Sequence, residues 1–156
     1  MTVLSSQTIA TYCYEADHPM VRRSDSGVLR IEPVSIDIHL DKSEMGYLNP
    51  GDFCLANTVE VFRMPDHIVG MVVGKSTYAR EGLQIEVAGL IDPGFCGDIT
   101  LELKNLHNHN PIMLDKGQSI GQVFFMYTNL PVDILYGPLN GNLYQDQKGI
   151  TQSYRR

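Results

Sequence analysis

From about residue 28 onward the chain is built of short runs that alternate apolar and polar side chains, each cut off by a cluster of turn-forming residues. Asp98 to Leu106 is the strongest run. Side chains along a strand point alternately to its two sides, so Ile99, Leu101 and Leu103 share one face while Thr100, Glu102 and Lys104 share the other. Ser35 to Leu40 alternates in the same way. Phe53 to Phe62, Ile68 to Val73, Leu83 to Val87, Ile112 to Leu114 and Gln122 to Tyr127 read as further strands. Asn49-Pro50-Gly51-Asp52, Asp92-Pro93-Gly94 and Lys116-Gly117-Gln118 supply turns between them. Many short strands joined by turns predict a mainly-β sandwich or barrel.

The two ends read differently. Ser5 or Ser6 can cap a short helix over Gln7 to Tyr14, with Ile9 and Cys13 on one face. The segment from Tyr136 to Arg156 holds Gly137, Pro138, Gly141 and Gly149 and little apolar periodicity. It has no core of its own, so it either docks on another surface or stays loose.

At 156 residues a single domain over 1–156 is expected. The formal charge of -6 removes any general electrostatic attraction to nucleic acid, so no nucleic-acid partner is expected. No apolar run approaches the roughly 18 residues of a membrane span, and Met1 to Ser6 lacks a signal-peptide pattern. Cys13, Cys54 and Cys96 are far apart and form no CxxC, which predicts free thiols in a reducing cytoplasm.

Three features carry chemistry. In Gly74-Lys75-Ser76-Thr77-Tyr78-Ala79-Arg80, glycine permits close approach of a ligand, Ser76 and Thr77 offer hydroxyls, and Lys75 and Arg80 offer charged donors. The spacing is not that of a Walker A loop, and such a segment also serves as an ordinary solvated loop. Glu102 points away from the Leu101 and Leu103 face. That other face is water in a one-sided sheet; in a pocket or subunit interface, burial would raise the carboxyl's proton affinity and suit it to proton transfer. Asp92 sits in a turn that it could simply cap. The five histidines lack metal-site spacing, and the H-x-E…P-C-x-x-C signature of zinc nucleotide deaminases is missing.

At these residues the chain resembles the dCTP deaminase branch of the dUTPase-like superfamily. The resemblance runs through Glu32-Pro33-Val34-Ser35-Ile36-Asp37-Ile38-His39-Leu40, Leu48-Asn49-Pro50-Gly51-Asp52-Phe53 and Met64-Pro65-Asp66. It continues through Gly74 to Arg80, Ile91-Asp92-Pro93-Gly94-Phe95-Cys96-Gly97, Ile99-Thr100-Leu101-Glu102 and the tail Leu143-Tyr144-Gln145-Asp146-Gln147-Lys148-Gly149. It implies a distorted β-barrel of the β-clip type and a homotrimer with active sites between subunits. It also implies Mg2+ carried on the triphosphate, with no zinc.

By the same resemblance Glu102 is the proton shuttle, with Ser76 and Arg80 beside it. Lys75, Ser76 and Thr77 contact phosphate, and Asp92 lies near the sugar. Thr100, Leu101 and Glu102 line the base, and Tyr136 and Gln147 belong to a tail, 136–156, that closes over the nucleotide. The first functional expectation is zinc-independent deamination of dCTP to dUTP and ammonia. The alternatives are a bifunctional enzyme giving dUMP and pyrophosphate, a dUTPase using Asp92, and last a non-catalytic nucleotide-binding trimer. The cytoplasm is the expected location, the host's if a virus encodes the chain.

Three departures stand out. Leu143 replaces the family's tail lysine. Lys75 replaces an arginine, giving a point charge where the family has a fork. The segment between Arg80 and Asp92 is one residue shorter than in typical deaminases, and its Ala88-Gly89-Leu90-Ile91-Asp92 resembles dUTPases.

Overall fold

The computed structural model describes residues 2–86 and 90–154. Its strands are β1 (Thr2–Val3), β2 (Val21–Arg23), β3 (Ser35–Ser43), β4 (Tyr47–Leu48), β5 (Phe53–Arg63) and β6 (Ile68–Gly74). They continue with β7 (Leu83–Ile85), β8 (Leu90–Ile91), β9 (Cys96–Asn105), β10 (Ile112–Met113) and β11 (Ser119–Tyr127). The helices are α1 (Ser6–Ala10), which runs on into a π turn over Thr11–Glu15, and α2 (Ser76–Arg80). Val87, predicted to end a strand, lies outside the described residues, as do Ala88 and Gly89 of the dUTPase-like segment.

The backbone of the fold is a sheet in the order β7-β9-β5-β3-β11-β6-β8, with β1 added on β11 and β2 on β5. It curls into a distorted half-barrel, the mainly-β barrel class that turn spacing and resemblance predict. Each pair of these named strands is antiparallel among the described residues. Bulges interrupt the registers of β3 with β5 and β5 with β9; an extra residue sharpens the local bend.

One connected apolar core is packed against the sheet. Ile36, Ile38, Leu40, Ala56, Phe62, Leu101, Leu103, Val123 and Phe125 are all buried. Leu101 and Leu103 are the two apolar residues that the alternation of β9 assigns inward. At the N-terminus Ser5 caps α1 by accepting the Thr8 N–H, and Ile9 and Cys13 are buried. Each fully buried aliphatic side chain contributes about 1.5–3 kcal/mol.

In β3 the alternation misleads. Asp37, on the nominally polar side, is fully buried. It is matched there by groups distant in sequence: Ser119 Oγ at 3.0 Å, Gln122 Nε2 at 3.1 Å, and the ammonium of Lys75.

The C-terminal segment docks. Asp146 N–H donates to Cys96 O, Asp98 N–H donates to Gln147 O, Gly149 N–H donates to a carboxylate oxygen of Asp98 at 2.7 Å, and Thr151 N–H donates to Thr100 Oγ1. Gln147 forms a parallel bridge to Gly97. Backbone bonds hold this strap, which is why a hydrophobic pattern does not announce it. Among the described residues no helix is long and apolar enough to cross a membrane.

Candidate active site

Glu102 lies on the outer face of β9, between β5 and β7, with Leu55 of β5 directly across. On this face the strap and the edge of the half-barrel enclose a cavity of about 500 Å3. Thr100 and Glu102 line it from β9, Val72 from β6 and Leu90 from β8; Phe95 and Tyr136 meet edge to face at 5.5 Å at its wall. Gln147 and Tyr144 close it from the strap. A mostly apolar cavity of this size with a few converging polar groups suits a small cyclic ligand.

The electrostatics distinguish Glu102 from a surface acid. Burial pushes its carboxyl above the ordinary range, and the neighbouring negative charge of Glu86 pushes it the same way. Its own backbone N–H opposes both. A carboxyl raised this way holds a proton more tightly than a surface acid, which suits it to proton transfer.

Asp92 occupies the predicted turn: its carbonyl accepts the Phe95 N–H at 3.1 Å. Its half-buried carboxyl is raised by burial. Ile91 beside it reaches the cavity wall. The side chain of Leu101 is buried in the core, so only its backbone is available to a base on the other face.

The other predicted group does not join this cavity within the chain. Lys75, Ser76, Thr77 and Arg80 sit at the end of β6 and on α2, and none of them lines it. Ser76, Thr77 and Arg80 are exposed. Lys75 is engaged: its Nζ donates to the Asp37 carboxylate and to Ser119 Oγ at 2.9 Å. Burial alone would push the Asp37 carboxyl up, but hydrogen bonds from Lys75, Gln122 and Ser119 and the Lys75 charge hold it below the usual range. An ammonium has three donors. Two are used here, which leaves one for an incoming anion.

Sequence reasoning missed Glu86, Tyr144, Phe53 and Leu55 as neighbours of the site. Only cross-strand register or the path of the strap reveals them. Among the described residues no three His, Cys, Asp or Glu side chains gather as metal ligands.

The model of the dCTP deaminase-like family matches residues 6–128. Curated relatives named dCTP deaminase, dUMP-forming, include that of Dictyoglomus thermophilum, 39% identical over 117 residues, covering 74% of this chain and 60% of the relative. The Mycobacterium leprae protein of that name is 43% identical over 118 residues, covering 74% and 62%. The Acidothermus cellulolyticus one is 38% identical over 155 residues, covering 79% and 81%. The chain thus spans about three fifths of the length of the first two. Among solved structures, the 2'-deoxycytidine 5'-triphosphate deaminase of Agrobacterium tumefaciens superposes with a TM-score of 0.63 at 17% identity, covering 79% of this chain and 48% of that one. The dUTPase of Staphylococcus bacteriophage 80alpha does so at 0.59 and 18%, covering 75% and 97%. At such identities these two structures speak for the fold alone.

Proposed function

The chain belongs to the dCTP deaminase-like family, and from that premise we propose that it hydrolyses the cytosine amine of dCTP and carries the product on to dUMP. The observation that carries the proposal is Glu102: a strand carboxyl lining an apolar cavity, with its proton affinity raised by burial.

Deamination needs water added at C4 of the ring and ammonia expelled. Glu102 takes a proton from the attacking water as its oxygen bonds to C4, and delivers it to N3. The hydroxyl proton of the adduct then passes through Glu102 to the amine, the C4–N4 bond breaks, and the uracil carbonyl forms. Phe95 and Tyr136 hold the ring and keep bulk water away, so that fixed dipoles act in a low dielectric.

The dUMP product departs from dUTP as the first expected end point. The name shared by the relatives supports it. Asp92, half-buried and raised by burial, is the residue assigned to the second hydrolysis. It takes a proton from a water that attacks the α-phosphorus of dUTP, and pyrophosphate leaves.

The site is completed by a neighbouring copy in a homotrimer. The exposed Ser76, Thr77 and Arg80 of one subunit face the cavity of the next, where Ser76 and Arg80 orient Glu102 and the water. Lys75, Ser76 and Thr77 hold phosphate, Lys75 through its one unused donor. Magnesium would arrive on the triphosphate and neutralise part of its charge; the described residues offer no cluster of ligands of their own.

The test is to incubate the protein with dCTP and magnesium and resolve the products. Ammonia together with dUMP and pyrophosphate supports the proposal. Accumulation of dUTP alone would remove the role of Asp92. Consumption of added dUTP with dCTP untouched would remove deamination altogether.

A further inference from the structure

The register of β7 on β9 pairs Leu83 with Asn105, Gln84 with Lys104 and Ile85 with Leu103. One step further, the Glu86 N–H donates to the Glu102 carbonyl at 2.9 Å. Glu86 is therefore the cross-strand partner of Glu102, and residues directly opposite one another project from the same face with their Cβ atoms about 5 Å apart. Burial agrees: Ile85 and Leu103 are in the core, while Glu86 and Glu102 take the other side. Two carboxyls thus stand across from each other on the strand pair, Glu102 half-buried and lining the cavity, Glu86 exposed beside it.

We propose that Glu86 is a positioning residue for the deamination, a second carboxylate whose place across the strand pair keeps Glu102 able to hold a proton during turnover. The inference rests on reading Glu102 as the proton shuttle. It assigns to Glu86 a role that its exposure alone does not suggest. Two like charges at this spacing disfavour double ionisation, so the better-buried member retains its proton to higher pH. The shift of Glu102 is consistent with this, since Glu86 is the charge that adds to burial.

Within the chain few charges face Glu102, and in the assembled site proposed above Arg80 of the neighbouring copy joins them, lowering the Glu102 carboxyl where Glu86 raises it. From β5 the facing residue is Leu55. From β9 itself, Lys104 lies two residues along on the same face, paired with Gln84 of β7 and Phe53 of β5. From the strap come the uncharged Gln147, Thr151 and Gln152. Glu44 is engaged by the Leu55 N–H at 2.9 Å and the Gln152 amide at 2.6 Å. A shuttle must hold the proton it has taken from water until N3 or the leaving amine accepts it. A carboxyl at the ordinary value holds it too weakly for the base step, and Glu86 corrects this without touching substrate.

The experiment reads Glu102 directly. The full chain is labelled with carboxyl-13C glutamate, the Glu102 signal is assigned with Glu102→Gln, and its titration is followed in wild type, Glu86→Gln and Glu86→Asp. The midpoint of Glu102 should fall by about 0.5–1 in Glu86→Gln and stay near the wild-type value in Glu86→Asp. Raising salt to 0.5 M should narrow the gap between the wild-type and Glu86→Gln midpoints, because an exposed charge is screened at about 4–5 Å Debye length while the remaining charges act on both proteins alike. Equal midpoints in wild type and Glu86→Gln, or a gap between them that ignores salt, would overturn the proposal. Should Glu86→Gln fail to fold, Glu86→Ala supplies the same comparison with wild type. Deamination rates keep the two readings apart. A fall in midpoint with the acid limb of kcat/KM for dCTP moving down in step, at unchanged KM, supports both. No deamination by wild type sinks the functional reading, while the titration still decides whether the two carboxyls are coupled.

Discussion

The ammonium of Lys75 is held by the carboxylate of Asp37, a fully buried acid 38 residues away in sequence. The pair joins the end of β6 to β3 through β11, which contributes Ser119 and Gln122 to the same carboxylate. It fixes the start of the α2 segment, from which the proposed phosphate contacts project. A buried acid held below its ordinary value contributes stability that is present above the unfolded value of about 3.9 and is lost as pH falls through the folded one. Asp37→Asn should therefore cost about 2–3 kcal/mol at pH 7, less than a fully buried pair because Lys75 keeps some solvent contact. The variant should also lose less stability than wild type below about pH 4. Urea melts at pH 7 and pH 3.5 check both; parallel pH curves would contradict the assignment.

Glu102 carries the opposite sign. Its carboxyl is raised by burial and by Glu86, so its stability contribution is complete below the unfolded value of about 4.3 and falls as pH rises through the folded one. At neutral pH the ionised form is a cost to the fold. Glu102→Gln should abolish deamination, with kcat down by about 100-fold or more. It should leave dCTP binding within a few-fold and raise the melting temperature at pH 7.5 by about 1–3 °C. Calorimetry and single-turnover kinetics on one preparation test the combination. Substantial residual turnover would remove Glu102 from its role.

The β9 strand shows how far the sequence could be read. Leu101 and Leu103 inward with Glu102 outward follows from a period of two and nothing else, and the structure has it so. The burial of Asp37 follows the same period in β3 yet defeats it, because a curled sheet covers both faces of a central strand and the compensating cation comes from another strand. Glu86 was invisible for a related reason: only the register of β7 on β9 makes it a neighbour of Glu102. The strap had no apolar rhythm because hydrogen bonds to backbone and to Asp98 hold it. Local patterns encode which way a side chain points; they do not encode which distant residue meets it.

Gly97 tests the strap. Its φ is +137°, in the region that favours glycine, and a methyl group there would lie 2.8 Å from the Gln147 carbonyl oxygen. Gly97→Ala should push the strap off β9, at a local cost of about 1–3 kcal/mol. The amides of Asp146, Gly149 and Thr151 should then exchange with solvent at least ten-fold faster (a change of about 1.4 kcal/mol), while those of Leu101 and Leu103 stay protected. KM for dCTP should rise with the loss of Tyr144 and Gln147 from the cavity wall. Unchanged exchange in the strap would show that Gly97 does not clamp it.

The separation of Arg80 from Glu102 within one subunit yields a test of the shared site. Arg80 is exposed on α2 and Glu102 lines the cavity. If each site takes Glu102 from one copy and Arg80 from its neighbour, then Glu102→Gln and Arg80→Ala are each inactive alone. Mixed as subunits, they place an intact Glu102 beside an intact Arg80 at some interfaces. Random assembly of equal amounts restores about a quarter of the wild-type rate, because each half of a site is intact with even odds in a cyclic oligomer. The check is to unfold the two variants together, refold, and assay ammonia release from dCTP against each refolded alone. Recovery near that fraction requires a shared site. If both residues act within one subunit, every chain in the mixture carries one defect and no activity returns.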